Sequence, residues 1–351
     1  MRVLGIESSC DETAAAVVDD GPRVVTNVVH SQVAAHAPFG GVVPEIASRE
    51  HITRIVEVVE RALAEAGGLD TIDGIAVTRG PGLIGSLLVG LQVAKGLALS
   101  RKLPWIGINH LEGHLSAALL AEPRPSYPHV ALVISGGHSN LYYVERFGMY
   151  RHLGGTRDDA AGEAFDKVAK LLGLGYPGGV RIDKTAQGGN PAAVKLPRSL
   201  PAKSSLDFSF SGLKTAAANH LAKQGQLEGQ ALSDFCASIQ EAIADVLTKK
   251  AITAARLTQA PGIVLAGGVA ANSRVRELLQ ERCARNHLWA FMPPKALCTD
   301  NAAMIAAAGW MRLSTGERDT FDMGAVSRWP LGETADSAPP TKSWRKGKIS
   351  D

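Results

Sequence analysis

Cysteine is scarce in this sequence, and the four present, Cys10, Cys236, Cys283 and Cys298, include no pair at C-x-x-C spacing. That rules against a disulfide framework or a cysteine zinc site and suits a reducing compartment. Strong charge of either sign is also missing. A formal net charge of +3 over 351 residues is far from that of a protein coating nucleic acid by counterion release alone, so contact with RNA would be local or shared with a partner. Apolar runs are broken by Gly, Ser, Asn or His before they could span a bilayer. The opening MRVLGIE lacks the apolar region and cleavage site of a signal peptide. A cytoplasmic protein without membrane attachment is expected. Two catalytic signatures are absent as well. No G-x-x-x-x-G-K-[ST] occurs, the nearest stretch, SGLKT at 211–215, having the wrong glycine spacing, and no H-E-x-x-H occurs.

What is present is a long chain with 45% apolar composition, enough for two domains or subdomains. Residues 3–19, VLGIESSCDETAAAVVD, place two apolar runs around a loop of small polar residues, which predicts a β-hairpin. Residues 130–144, VALVISGGHSNLYYV, repeat that design and point to two related lobes. HITRIVEVVERALAEAG (51–67) has helical periodicity and ends at Gly67 and Gly68. GIAVTRGPGLIGSLLVG and IVLAGGVAANSRVRELL each run strand, glycine turn, helix. The class is α/β. From about Glu333 the sequence turns to Pro, Ser and basic residues without apolar period, predicting a disordered tail.

Gly80, Gly82 and Gly85 match G-x-G-x-x-G, yet no acidic residue follows between Ser86 and Leu111 to hold a ribose. Close helix–strand packing is the better reading of these glycines. SSCDET (8–13) and SGGHS (135–139) are turns of small residues whose backbone N–H groups can face an anion. In AGGVAANS (266–273) the paired glycines permit close approach, and Asn272 or Ser273 can cap the next helix. Each turn alone could be a tight turn and nothing more. Together, in this order, they have the layout of an actin-like nucleotide clamp.

GINHLEGHLSAAL sets His110 and His114 four apart with Glu112 between them. On a helix the two histidines fall within about 40° of each other, and Glu112 points roughly 200° away. A zinc peptidase would need its glutamate beside the first histidine, where Leu111 stands. The pair could serve a metal, a helix cap or the surface. A metal needs a third ligand, for which Asp300 in CTDNAAMIAAAG is the candidate, its competing role being an N-cap. Two histidines and a carboxylate with open positions suit Fe(II) or Zn(II).

GIESSCDETAAAVV, VPEIASREH, GPGLIGSLLVG, NHLEGHL, ISGGHS, DDAAGEAFDKVAKLLGLGYPGG, FSFSGLKTA, LAGGVAANS and CTDNAAMIA, in that order, resemble the tRNA N6-adenosine threonylcarbamoyltransferase family in its bacterial form, from residue 1 to RWPL at 328–331. The resemblance implies an actin-like, Hsp70-like ATPase fold of two related lobes with nucleotide and metal in the cleft between them. The expected division is 1–105 plus about 300–332 for one lobe and 106–299 for the other. It implies transfer of a threonylcarbamoyl group from threonylcarbamoyl-AMP to N6 of the adenosine 3′ of the anticodon, in tRNAs reading codons that begin with adenine. By motif, His110, His114 and Asp300 match metal ligands, with Fe(II) favoured over Zn(II). Val133, Ile134, Ser135, Gly136, Gly137, Asp166, Gly179, Asp183 and Asn272 match positions that hold the adenylate, with ATP or ADP possible in the same cleft. RIDKTAQGG departs from the usual family pattern around Asp183. Implied partners are tRNA, an inactive paralogue of the same fold, an ATPase, and a separate synthase that makes the adenylate.

An acyl adenylate already carries a good leaving group, so no covalent nucleophile is required and Cys10 need not be one. The amine must still shed a proton, and Asp11 or Glu12 in the first hairpin is the candidate acceptor; both could instead only order the loop. The alternatives are a small-molecule kinase or carbamoyltransferase of the same fold, and a metallopeptidase that would depend on Glu112.

Overall fold

A computed structural model describes residues 1–200 and 205–332 of the chain, and the tail expected from Glu333 onward lies outside the described residues. Strands β1 (Val3–Glu7), β2 (Glu12–Asp19) and β3 (Arg23–Ser31) form an antiparallel meander, followed by one helical turn, α1 (Val33–His36), and helix α2 (Pro44–Glu65). Then come β4 (Gly74–Gly80), α3 (Ile84–Arg101), β5 (Trp105–Asn109) and the short α4 (His110–Ser116). The second half opens with another meander, β6 (His129–Ile134), β7 (Ser139–Arg146) and β8 (Met149–Gly155). Helices α5 (Ala161–Leu171), α6 (Gly178–Thr185), α7 (Ser211–Gln224) and α8 (Gly229–Thr258) follow. The chain then runs through β9 (Gly262–Ala266), α9 (Ser273–Arg285), β10 (Trp289–Phe291) and α10 (Ala302–Ser314).

The sheets are ordered β3-β2-β1-β4-β5 and β10-β9-β6-β7-β8. Each is a three-stranded meander extended by two parallel strands on the side of its first strand. The two halves share one topology, as the repeated hairpins suggested. Because β5 pairs with β4, the first sheet's chain continues to Asn109, past the boundary expected at residue 105. Helix α2 likewise starts earlier than its periodicity indicated, at Pro44, where the missing N–H costs nothing in a first turn. It ends as read, with Gly67 and Gly68 at φ 91° and 98°.

Strand alternation decides what covers each face. Leu4 and Ile6 of β1 point to a core shared with α2 and α3, whereas Val3 points to one shared with Met304, Ile305 and Ala308 of α10. A sheet buried on both faces reads as a continuous apolar run, and all five residues of β1, Glu7 included, are buried. In the second sheet Val130, Leu132 and Ile134 pack towards α5, α8 and α9, while Ala131 and Val133 meet Leu111 and Leu115 of α4. Helix α4 is thus wedged between the lobes, with one face on the second sheet and its other residues free to face the first.

Candidate metal centre between the lobes

The wedge helix begins where Asn109, closing β5, accepts a hydrogen bond from the Leu111 amide at 2.9 Å. The helix therefore opens on His110, and one turn later His114 stands edge to face with it, ring centroids 4.7 Å apart. The segment TDNA opens α10 far along the chain. Its cap is Asn301, whose side-chain oxygen accepts from the Met304 amide at 3.1 Å. Asp300 is thereby free of the capping role, and its Oδ1 lies 3.5 Å from His110 Nε2 and 3.2 Å from His114 Nε2. The three donor atoms fall within 4.8 Å of one another, and the 3.2 and 3.5 Å from the carboxylate oxygen to the two imidazoles suit pairs of ligands on one ion at bond lengths of about 2.0–2.2 Å.

His114 gives the clearest test of whether these residues suit a metal. It is fully buried, its Nδ1 meets no partner, and its Nε2 has only the 3.2 Å ionic approach of Asp300. An unsatisfied buried polar group costs about 1–3 kcal/mol, and a cation at Nε2 would relieve it. Burial opposes charge on His110, yet the carboxylates of Asp300 and Glu7 outweigh it and raise the imidazole to about 9. Burial also opposes charge on Asp300, but His110 and His114 hold its carboxyl well below the usual range. His138 of the SGGHS turn goes the other way, down to about 4, through burial first and then the two neighbouring histidines. Negative charge is concentrated here, and a divalent cation would compete with the His110 proton for it.

The first hairpin turn is held from several sides. His51 of α2 contacts Thr13 Oγ1 at 2.7 Å and the Cys10 carbonyl at 3.0 Å, and the Leu83 amide donates to the Ser9 carbonyl at 2.9 Å. A Cβ on Gly82 would come within 2.7 Å of that same carbonyl. This glycine of the G-x-G-x-x-G stretch serves close packing against the hairpin. Asp11 accepts a hydrogen bond from Tyr176 Oη at 3.1 Å, across from the second lobe. Burial, reinforced by Asp11 and Asp300, pushes the Glu12 carboxyl well above its usual value. The same influences push up the Cys10 thiol, which therefore stays protonated near neutrality, a poor state for a nucleophile.

In the second hairpin the Ser135 amide is consumed inside the turn, donating to the His138 carbonyl at 2.8 Å. This amide of the SGGHS turn is therefore not free to face an anion. Gly136 and Gly137 are exposed, with open space where a Cβ would stand. The side chains of Val133 and Ile134 are fully buried, so only their backbone could meet a ligand. Asp166 accepts from the Gly178 amide at 2.7 Å and also from that of Gly179, beside the Tyr176 loop that reaches Asp11. Asp183 holds the amide and hydroxyl of Ser273, and Asn272 caps α9 through the Val275 amide at 3.1 Å. These two residues meet at one helix start, each already serving it.

Glu112 is only 1% exposed, and its carboxylate accepts two bonds of 2.8 Å from Arg312 and one of 2.9 Å from Tyr150. It faces away from the histidines, as helical geometry required, and is no peptidase base. A cavity of about 350 Å³ lies on that far side of α4, lined by Arg79, Glu112, Tyr150, Arg312, Asp319 and Trp329 among others, and none of His110, His114 and Asp300 borders it. Sequence reading missed Glu7, Ser9, His138 and Tyr176. Ser9, His138 and Tyr176 stand within SSCDET, SGGHS and YPGG, stretches already singled out, and Glu7 is an acid closing an otherwise apolar strand.

A family model described as TsaD, tRNA N6-adenosine threonylcarbamoyltransferase, matches residues 23–307. The chain belongs to this family. A tRNA N6-adenosine threonylcarbamoyltransferase of Syntrophus aciditrophicus is 56% identical over 333 residues, covering 94% of this chain and 98% of that protein. One of Anaeromyxobacter dehalogenans is 57% identical over 332 residues, covering 94% and 99%. Among solved structures, component A of the (R)-2-hydroxyglutaryl-CoA dehydratase of Acidaminococcus fermentans is similar in fold, with TM-score 0.56, 18% identity and coverage of 90% and 99%. HypF of T. kodakarensis gives TM-score 0.59 at 14% identity over 90% of this chain and 48% of that one. The fold is the two-lobed actin-like, Hsp70-like ATPase fold; the family implies a metal-binding site, and His110, His114 and Asp300 form a group that could hold an ion. Among the described residues no helix is long and apolar enough to cross a membrane.

Proposed function

We infer that this protein transfers the threonylcarbamoyl group of threonylcarbamoyl-AMP to N6 of the adenosine 3′ of the anticodon, in tRNAs reading codons that begin with adenine. One observation carries the reading: a chain matched over nearly its full length by relatives of that name brings His110, His114 and Asp300 together, beside Ser9 of the first hairpin and His138 of the SGGHS turn. A kinase or carbamoyltransferase acting on small molecules is not favoured, since the near full-length relatives are named for tRNA modification.

In the reaction, the N6 lone pair attacks the carbamoyl carbon, a C–N bond forms, and the C–O bond to phosphate breaks to release AMP. The N6 proton must leave. Burial, Asp11 and Asp300 raise the Glu12 carboxyl, and Asp11 accepts a hydrogen bond from Tyr176 that fixes its carboxylate; of the pair, Asp11 is the acceptor we assign. The amides of Gly136 and Gly137, on an exposed turn with open space beside it, would bind the acyl or phosphate oxygens. A divalent metal, Fe(II) ahead of Zn(II), would polarise an oxygen of the donor when bound at His110, His114 and Asp300. Purified protein with threonylcarbamoyl-AMP, unmodified tRNA and its protein partners is expected to add the threonylcarbamoyl mass to adenosine. Absence of that mass gain sinks the reading. Metal analysis of anaerobically purified protein decides between iron and zinc.

The partners are part of the same proposal: an inactive paralogue of the same fold, an ATPase, and a synthase that supplies the adenylate. A docking face for the paralogue is offered by α2 and α3. Gly85 packs against Ser48, which sets the helices side by side. Ile52 and Val56 on one, Ile84 and Leu88 on the other, are 65%, 57%, 50% and 41% exposed, an apolar patch of the kind that marks an interface. Ile52→Glu with Leu88→Glu is expected to weaken association with the paralogue by at least roughly tenfold, measured by titration calorimetry, while the fold persists. Unchanged affinity would move the interface elsewhere.

A further inference from the structure

Glu7 is a charged side chain with no exposure to solvent, at the end of a strand whose other residues are aliphatic or glycine. Burying a carboxylate is costly unless each oxygen is bonded. One oxygen, Oε1, accepts from the Ser9 amide, and the other, Oε2, accepts from Thr78 Oγ1 at 2.6 Å. That pair of bonds would suffice for a purely structural acid. Glu7 Oε2 makes a third contact, to His110 Nδ1 at 3.0 Å, on the ring edge opposite the one facing Asp300. Ser9 Oγ also lies 3.1 Å from that nitrogen.

We propose that Glu7 is a positioning residue for the metal centre, fixing His110 with its proton on Nδ1 and its Nε2 lone pair turned towards Asp300 and His114. An acceptor at Nδ1 selects the tautomer, holds the ring plane and makes Nε2 more electron-rich, the arrangement by which carboxylates tune metal-bound histidines. The two histidines differ in this respect. His114 Nδ1 has no hydrogen-bond partner, so the pre-orientation of the site resides in His110, on the side of the first lobe. Because Glu7 closes β1 and Ser9 lies in the turn that follows, the candidate metal site is tied to the same hairpin that carries Asp11 and Glu12.

The inference rests on His110, His114 and Asp300 being metal ligands, and the experiment separates the two ideas without measuring transfer. Full-length protein stripped of metal is titrated with Zn(II) against a chromophoric chelator, for wild type and Glu7→Gln. Tight binding by wild type with a roughly 10–100-fold loss in Glu7→Gln is the expected result. If wild type binds no Zn(II), the ligand assignment itself falls and takes this inference with it. If wild type binds and Glu7→Gln binds equally well, with or without a loss of thermal stability, Glu7 is a structural acid and only this inference is overturned. Should Glu7→Gln not fold, imidazole NMR of the wild type carries the test. A protected Nδ1 proton on His110 with Zn(II) on Nε2 is expected, and Zn(II) on Nδ1 overturns the proposal.

Discussion

Asp300→Ala is expected to strip the bound metal and to lower threonylcarbamoyl transfer by roughly 10³-fold, equivalent to about 4 kcal/mol of transition-state stabilisation. The carboxylate is the sole acidic member of the described cluster, and it sits within 3.5 Å of both ligand imidazoles. Without it, the two buried histidines keep no carboxylate on the side where an ion would bind, Glu7 lying on the opposite edge of the His110 ring. The neighbouring Asn301→Ala separates this from a helix effect. That change removes the bond to the Met304 amide and should cost about 1 kcal/mol of stability, read from chemical denaturation. A full set of transfer rates and metal contents for the two variants checks the division of labour. If Asp300→Ala kept its metal and wild-type rate, the metal centre would have to be sought elsewhere.

The second large effect is on stability. Glu112→Ala leaves the Arg312 guanidinium without its two 2.8 Å bonds, and Tyr150 without its acceptor. Removing one member of a buried ion pair costs about 3–5 kcal/mol. Arg312, 25% exposed, can regain some water and Glu317 remains beside it, so the lower end, about 3 kcal/mol, is expected in urea unfolding. Replacing both partners, Glu112→Leu with Arg312→Leu, should recover part of that loss, because no unpaired charge then stays buried. Metal content per folded molecule should be unchanged in both, since Glu112 faces away from the histidines. A loss of metal without loss of stability would contradict the geometry.

Several features were readable from residue order. The two hairpins appear where apolar runs flank SSCDET and SGGHS, and the H-x-x-x-H pair forms one helical turn with Glu112 turned outward. These are local properties: strand alternation, helical periodicity and turn composition act over a few residues. The start of α2 at Pro44 was missed because its first turn carries little periodicity and draws its place from Ala47 and His51 packed below. The free amides of the second hairpin were over-counted because sequence cannot say which N–H a turn consumes internally, as the Ser135 amide is. Glu7, His138 and Tyr176 escaped notice because each depends on contacts between segments far apart in the chain.

Residue order alone determined the family, the α/β class, the doubled lobe design and the identity of three metal-ligand candidates, since motifs and periodicities are written in short stretches. Only the tertiary structure decided between the two roles open to Asp300. An aspartate before an Ala-rich helix can cap it or point elsewhere, and the choice turns on whether the next residue takes the cap. Asn301 takes it, and packing of α10 under the first sheet then carries the freed carboxylate to α4. Contacts of this kind arise from how separate helices seat on shared sheets, which is a property of the whole packed core.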